Sequence, residues 1–348
     1  MRVNRREWLA AAAGSLAPLG ARASAPTAAP GPRMGVVIHS YGLRAAAGGE
    51  KPLGDPKTFL DYCHSLEAGG IQTALGARPD DYADQLRASA AEYKMYVEGS
   101  IGLPKDAADV DRFTAEVRTT KRCGASLFRT VLMNGRRYEA FNTIEAFRTF
   151  FAKAKQSLAL ARPVVEKHDV RMAVENHKDL RAADQAELIA KQDSPLVGVC
   201  VDTGNNLALL ENPLRTVEIL APLALTSHVK DMGVEEYAGG FLLSEVPLGT
   251  GFLDLPAIVA VLRKARPGIT LNLEMITRDP LKIPCLTPQY WATLEEIPAR
   301  QLAETLTLVR AKAAALPRVT PLAAAERVTR EDENVRRCLR YAREKLGA

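Results

Sequence analysis

Short apolar runs alternate with amphipathic stretches along most of the chain. Eight runs of five to seven residues are predicted strands, and their apolar positions are nearly continuous rather than alternating. Continuous apolar runs are typical of strands buried on both faces, as in a parallel sheet. The predicted strands are Met34–Ser40, Gly70–Gly76, Met95–Gly99, Ser126–Leu132, Val170–Glu175, Val197–Asp202, Leu225–Val229 and Ile269–Met275.

The stretches between these strands repeat apolar residues at helical spacing. Asp106, Thr143 and Asp254 stand where helix N-caps are expected. Eight strand–helix units predict an α/β fold, a (β/α)8 TIM barrel. A doubly wound open sheet is the alternative, but no G-x-G-x-x-G follows the first strand, which disfavours dinucleotide binding.

The barrel is predicted to span residues 34–316, and a helical extension follows in residues 317–348. Within the extension, a helix over Arg330–Leu346 is predicted, with Thr329 as its N-cap. Its apolar positions are predicted to dock on the barrel. The connections after the seventh and eighth strands are long. Long loops at the carboxyl ends of barrel strands usually form or cover an active site.

The N-terminus has the pattern of an export signal. Arg5 and Arg6 precede the apolar stretch Leu9–Leu19, and small residues typical of a cleavage site follow. The paired arginines resemble a twin-arginine signal, although an ordinary secretory signal is the alternative. We therefore expect a signal peptide at 1–25, a linker at 26–33, recognition by the twin-arginine export machinery and a periplasmic or secreted protein. The apolar stretch is shorter than the ~20 residues that span a bilayer, so no stable membrane anchor is expected.

Composition excludes several classes of protein. The chain has 348 residues, of which 47% are hydrophobic and 25% charged, which is incompatible with disorder. The formal net charge is +5, but the signal holds four arginines and one glutamate, so the remainder has 42 basic and 40 acidic residues. No run of basic residues indicates a nucleic-acid partner. The five cysteines are scattered without a CxxC, which disfavours a zinc cluster or a disulfide framework.

Four late strands carry metal-type ligands at or near their carboxyl ends, namely Glu175, Asp202, His228 and Glu274. Three carboxylates and one imidazole suit an octahedral divalent ion more than structural zinc. Taken singly, Asp202 could be a helix cap and His228 a core histidine. A glutamate within an apolar strand is costly to bury unless it is paired or metal-bound, which favours one joint metal site.

The runs VENHKD, GVCVDTGNN, SHVKD and LNLEM follow one another on the fifth to eighth predicted strands. In this order they resemble the xylose-isomerase-like TIM-barrel superfamily, with the AP-endonuclease-2-like fold, over roughly residues 34–310. The resemblance implies that Glu175, Asp202, His228 and Glu274 bind one divalent metal ion. Mn²⁺ is the predicted ion, with Mg²⁺, Co²⁺ or Zn²⁺ as alternatives. Many relatives carry histidine where this chain has Asn205, and five histidines are too few for the trinuclear zinc site of the endonuclease branch.

The predicted activity is that of a sugar isomerase or epimerase. Glu175 and Glu274 are the predicted catalytic residues: one takes a proton next to a carbonyl, the other returns it, and the metal holds the enediolate charge. A lyase or dehydratase acting on a keto-sugar or keto-glycoside is the alternative, because elimination passes through the same intermediate. A non-catalytic carbohydrate-binding barrel is the third reading.

The expected substrate is a small carbohydrate, and a homo-oligomer is compatible with the sequence. Six polar residues near the strand ends are the predicted substrate-binding residues. They are His39, Glu98, Arg129, His177, Asn205 and Lys230.

Overall fold

The computed structural model describes residues 33–48 and 52–348. The predicted signal peptide at 1–25 and most of the linker lie outside the described residues, so both stay predictions. Among the described residues, no helix is both long enough and apolar enough to cross a membrane.

Eight parallel strands close into a barrel, which confirms the (β/α)8 prediction and rules out the open sheet. Around the barrel the strand order is β1-β10-β7-β6-β5-β4-β3-β2. The barrel strands are β1 (Gly35–Val37), β2 (Gly70–Thr73), β3 (Tyr96–Ser100), β4 (Leu127–Thr130), β5 (Arg171–Glu175), β6 (Val197–Asp202), β7 (Ala224–Val229) and β10 (Leu271–Leu273).

Helices follow the barrel strands and pack around them. The predicted caps Asp106, Thr143 and Asp254 each accept hydrogen bonds from backbone N–H groups of the following turn. The helices are α1 (Gly42–Ala46), α2 (Pro56–Ser65), α3 (Asp80–Tyr93), α4 (Val110–Arg122), α5 (Arg137–Ala140), α6 (Ile144–His168), α7 (Ala182–Ala190), α8 (Pro213–Leu220), α9 (Leu255–Ala265), α10 (Pro288–Trp291), α11 (Ala299–Lys312) and α12 (Ala324–Tyr341).

The two long connections form a second, antiparallel sheet beside the barrel mouth. Its strands are β8 (Asp231–Tyr237), β9 (Gly240–Val246) and β11 (Leu281–Ile283), in the order β11-β9-β8. Gly240 turns the hairpin with φ +146°, and a Cβ there would lie 2.2 Å from the carbonyl oxygen of Ile283. Only glycine fits this turn.

The C-terminal extension docks on the barrel as predicted, but its helix begins earlier than the sequence suggested. Helix α12 starts at Ala324, and Thr329 lies inside it, where its hydroxyl donates to a backbone carbonyl. The cap prediction for Thr329 is wrong because alanines before it favour helix, and Glu326 accepts from the backbone N–H of Ala323 at 3.0 Å. Buried Glu331 accepts two backbone N–H groups at the start of α1, which ties the extension to the barrel.

Candidate metal centre

The structure brings the four predicted metal ligands together at one end of the barrel. Glu175 ends β5, Asp202 ends β6, His228 lies in β7, and Glu274 directly follows β10. Parallel pairing sets Asp202 opposite His228, and the backbone N–H of Glu274 donates to Val229 at 3.1 Å. The carboxyl ends of all barrel strands meet at the same rim. One ligand atom from each of the four buried residues lies within 4.8 Å of the others.

Two ligand atoms at this site are buried and have no hydrogen-bond partner. They are Nδ1 of His228 and Oδ2 of Asp202. Nδ1 lies 3.5 Å from Oε2 of Glu175, 3.5 Å from Oε1 of Glu274 and 4.0 Å from Oδ2 of Asp202. Buried polar atoms without partners are costly and rare in folded proteins. A divalent cation would satisfy both, so the residues present fit a metal ion.

A chain of hydrogen bonds behind His228 fixes the orientation of its ring. Nε2 of His228 lies 2.6 Å from Oε1 of Gln72, and the Gln72 amide donates to Glu98 at 2.9 Å. Because the Glu98 carboxylate only accepts, Gln72 turns its oxygen towards His228. Nε2 therefore carries the proton, and Nδ1 faces the other three ligands. Partners of this kind orient metal-binding histidines and tune their affinity.

The local charges make metal binding at His228 a proton-releasing step. In the metal-free protein burial lowers the pKa of His228, but the carboxylates of Glu175 and Glu274 outweigh burial and raise this pKa well above its usual value. The imidazolium must lose its Nδ1 proton before that nitrogen can bind a cation.

Replacing Gln72 by leucine is expected to weaken metal binding roughly 10- to 100-fold, because the His228 ring loses its acceptor. The measurement is a competitive titration of Mn²⁺ against a chelator. Gln185→Leu is the matched control, since Gln185 is equally buried but donates only to the backbone carbonyl of Val174. Equal affinities for the two variants would show that Gln72 does not support the ligand.

Donors hold both oxygens of Glu175. Nε of Arg129 donates to Oε2 at 2.5 Å, and Nη2 contacts the same oxygen. The Asn205 amide donates to Oε1 at 3.0 Å. Burial raises the pKa of Glu175, but the charges of Arg129 and His228 outweigh it and hold this pKa well below its usual range. Glu175 is therefore ionised.

Lys230 neutralises the opposite side of the site. Its Nζ lies 2.5 Å from Oε2 of Glu274 and 3.7 Å from Oε1 of Glu245. The same atom is 2.9 Å from Oδ2 of Asp202, but in a direction that makes no hydrogen bond. Burial opposes both charges. The carboxylates of Asp202 and Glu274 nevertheless raise the pKa of Lys230, and the Lys230 ammonium lowers the pKa of Glu274. Both groups are charged.

A cavity of about 930 Å³ reaches the site, and of the four ligand residues Glu274 lines its wall. Four of the predicted substrate-binding residues line it, namely His39, Arg129, His177 and Lys230. The ring of His177 is anchored through Nδ1, 3.1 Å from the carbonyl oxygen of Met133. Burial lowers the pKa of His177 to about 4, so its imidazole is neutral at pH 7.

The other two predicted substrate-binding residues do not lie in the cavity wall. Glu98 points into the barrel interior, where Gln72, Thr226, Thr270 and Asn272 all donate to its carboxylate. Its acceptors are used by the barrel itself, and its binding of substrate stays a prediction. Asn205 lies behind the cavity wall, where its amide donates a hydrogen bond to Glu175. In the structure it therefore supports a ligand residue.

Sequence reasoning missed two charged residues of the site, Lys178 and Glu245. Lys178 lines the cavity and stands in the run after Glu175 that carried the resemblance. Its position three residues after the end of a buried strand, at the rim where the ligands meet, was a usable signal for a site residue. Glu245 lies in β9, where Nη2 of Arg278 contacts its carboxylate at 2.8 Å. It was missed because the hairpin that carries it was not predicted, although the glycines between the two strands were a usable turn signal.

Comparison with known proteins places the chain in a family. The family described as Xylose isomerase-like TIM barrel matches residues 60–306. A 3-oxo-isoapionate decarboxylase of Pectobacterium atrosepticum is 31% identical over 251 residues, which cover 69% of this chain and 84% of that protein.

Solved structures share the fold. A D-psicose 3-epimerase crystallised in the presence of D-fructose superimposes with a TM-score of 0.61 at 14% identity, covering 91% of this chain and 100% of that chain. The 3-keto-D-glucoside 4-epimerase of E. coli superimposes with a TM-score of 0.53 at 13% identity, covering 80% and 99% respectively. A protein of Mycobacterium smegmatis in complex with magnesium gives 0.52 at 15% identity, covering 79% and 97%. The chain belongs to the xylose isomerase-like TIM barrel family.

Proposed function

We propose that the protein is a divalent-metal-dependent enzyme that acts on a keto-sugar through an enediolate. The observation that carries this proposal is the convergence of four buried ligand residues, two of them with unpartnered atoms, at a site whose Glu274 lines a cavity. When bound, a divalent ion would polarise a substrate carbonyl and stabilise the negative charge that develops on its oxygen. The relatives support a sugar as substrate, since those named above include a decarboxylase of 3-oxo-isoapionate and epimerases of sugars.

Isomerisation or epimerisation requires a carboxylate that takes a proton from carbon. Glu175 and Glu274 are the two glutamates in place for this step. However, both oxygens of Glu175 already accept hydrogen bonds from Arg129 or Asn205, and Oε2 of Glu274 accepts from Lys230. Hydrogen bonds to the charged form of a carboxylate lower its basicity. Proton abstraction would have to displace these donors.

Decarboxylation, a lyase reaction, fits these contacts better. The bond between the carboxylate carbon and its neighbour breaks, CO₂ leaves, and the electron pair stays on the carbonyl-bearing fragment as an enolate. A proton then returns to the carbon, and Lys230 and Lys178 are cavity-lining groups able to donate one. No base is needed. The 31% identity to a decarboxylase also supports this reaction, and proton transfer is the second candidate.

Incubation of the Mn²⁺-loaded protein with keto-sugars and keto-sugar acids in D₂O distinguishes the two reactions. We expect the substrate to lose its carboxyl carbon as bicarbonate and to take up deuterium in its place. ¹³C and ¹H NMR measure both changes. Deuterium uptake with every carbon retained would instead identify an isomerase or epimerase. EDTA-treated protein is the control, and turnover that persists unchanged in it would contradict the proposal.

A further inference from the structure

Lys178 is a buried lysine without an acidic partner. Its side chain belongs to a residue only 4% exposed, and the hydrogen bond its Nζ makes goes to the amide oxygen of Asn205. Among the described residues, no carboxylate forms a salt bridge with it, in contrast to Lys230. Burial and the charge of Lys230 together lower the pKa of Lys178 to about 8. A buried ammonium is costly unless it is paired, and none of the described carboxylates forms that pair, so a bound anion would stabilise it.

The backbone holds Lys178 in a conformation that is unusual for a residue with a side chain. Its φ is +69°, in the left-handed region. The Asp179 carboxylate accepts from the backbone N–H groups of His177 and Leu180, and the Lys178 carbonyl accepts from the N–H of Arg137 at 3.1 Å. These bonds fix the turn on both sides. Strained residues held this firmly cluster at functional sites.

The cavity that Lys178 lines is strongly cationic. Eight lysine and arginine side chains line it, against a single carboxylate, that of Glu274. Five of the eight are neutralised by acidic neighbours. Within the described part of the chain, Lys105, Lys153 and Lys178 have no such neighbour. Lys105 and Lys153 are exposed at the rim, whereas Lys178 is buried beside the metal ligands. A neutral sugar has no group that would balance this charge.

We propose that Lys178 binds a carboxylate of the substrate, and hence that the enzyme selects polyhydroxylated acids, the keto-sugar acids, over neutral keto-sugars. This inference rests on the proposed function, because it assigns the substrate class of the same site. Nζ of Lys178 donates to the substrate carboxylate while Asn205 holds the ammonium in place. Lys105 and Lys153 attract the anion towards the mouth of the cavity.

Isothermal titration of the Mn²⁺-loaded protein with D-gluconate and D-glucitol tests this inference. The two probes share the hydroxyl groups on C2 to C6 and differ at C1, which is a carboxylate in gluconate and a hydroxymethyl group in glucitol. We expect wild-type protein to bind gluconate at least roughly tenfold more tightly, as a charge-assisted hydrogen bond allows. Lys178→Gln should abolish this preference while leaving glucitol binding unchanged, and Lys178→Arg should restore part of it. Lys191→Gln is the matched control, because Lys191 is an exposed helix-end lysine paired with Glu187.

Two results would overturn the inference: equal binding of both probes to wild-type protein, or a gluconate preference that survives in Lys178→Gln. The second result would assign the carboxylate to another group. The wild-type comparison decides even if a variant fails to fold, although removal of an unpaired buried charge is expected to preserve folding. Titration measures binding without turnover, so failure of the proposed function can be told apart from failure of this inference. If the protein transformed no keto-sugar, a gluconate preference that depends on Lys178 would still be measured.

Discussion

His228→Ala is expected to abolish specific metal binding and to lower kcat/KM about a thousandfold, since metal-ion catalysis supplies several kcal/mol of transition-state stabilisation. His228 supplies the nitrogen of the ligand set, and its Nδ1 lies within 4.0 Å of oxygen atoms from all three carboxylates. Without the imidazole, those carboxylates face one another across an empty space. Their mutual repulsion would also destabilise the site.

Metal content after EDTA treatment and reconstitution with Mn²⁺ measures the first part of this expectation. His64→Ala is the matched control, because His64 is exposed and stacks on the ring of Tyr93 at 4.0 Å between centroids. We expect one ion per chain in wild type and in the control, and none in His228→Ala. One tightly held ion in His228→Ala would refute the assignment of this residue as a ligand.

The barrel and the grouping of its ligands could be predicted because both follow from local patterns. Strands buried on both faces leave continuous apolar runs, and the β6 prediction, Val197–Asp202, matches the structure at both ends. In a parallel barrel, polar residues at strand ends must meet at one rim. Knowing the strand order was therefore enough to place Glu175, Asp202, His228 and Glu274 together, although not to give their distances or partners.

Strand boundaries were harder to predict, because burial does not imply pairing in a sheet. The first apolar run was predicted as Met34–Ser40, but only Gly35–Val37 form the strand. After it the chain turns into a short 3₁₀ helix. There the Ser40 hydroxyl donates to the carbonyl of Leu273 and accepts from the N–H of Met275, both at 3.0 Å. Ser40 and Tyr41 stay buried although their backbone has left the ladder.

The antiparallel sheet was missed for a different physical reason. Strands β8 and β9 pair with each other locally, but β11 comes from the next long connection and contributes only Leu281–Ile283. The apolar face of this sheet, with Phe241 and Leu243, packs with Tyr290 in a buried cluster separate from the barrel core. The pairing of β11 with β9 and the contact of Arg278 with Glu245 join two separate connections, and such long-range contacts leave little trace in a local pattern.

Arg129→Met is expected to lower the free energy of unfolding of the metal-free protein by about 3–5 kcal/mol, the usual effect of leaving one partner of a buried ion pair alone. Arg129 is 8% exposed and Glu175 is 1% exposed, so solvent cannot replace the lost guanidinium. Two donors of Arg129 converge on Oε2 of Glu175. Loss of both leaves a desolvated carboxylate with Asn205 as its hydrogen-bond donor and the His228 ring, 3.5 Å from Oε2, as the nearest basic group.

The double variant Arg129→Met/Glu175→Gln isolates the charge from the packing. Because the neutral amide removes the unpaired charge, we expect the double variant to be more stable than Arg129→Met alone, with a coupling free energy of about 1–3 kcal/mol. Urea unfolding in EDTA of wild type, Arg129→Met, Glu175→Gln and the double variant measures this coupling. Arg171→Met, at the opposite end of β5 and bonded only to Ser126, should change the unfolding free energy by no more than about 0.5 kcal/mol. If Arg129→Met were as mild as that control, water or a rearranged neighbour would have to reach Glu175. That result would contradict the conclusion that Glu175 is a buried, ionised ligand that depends on Arg129.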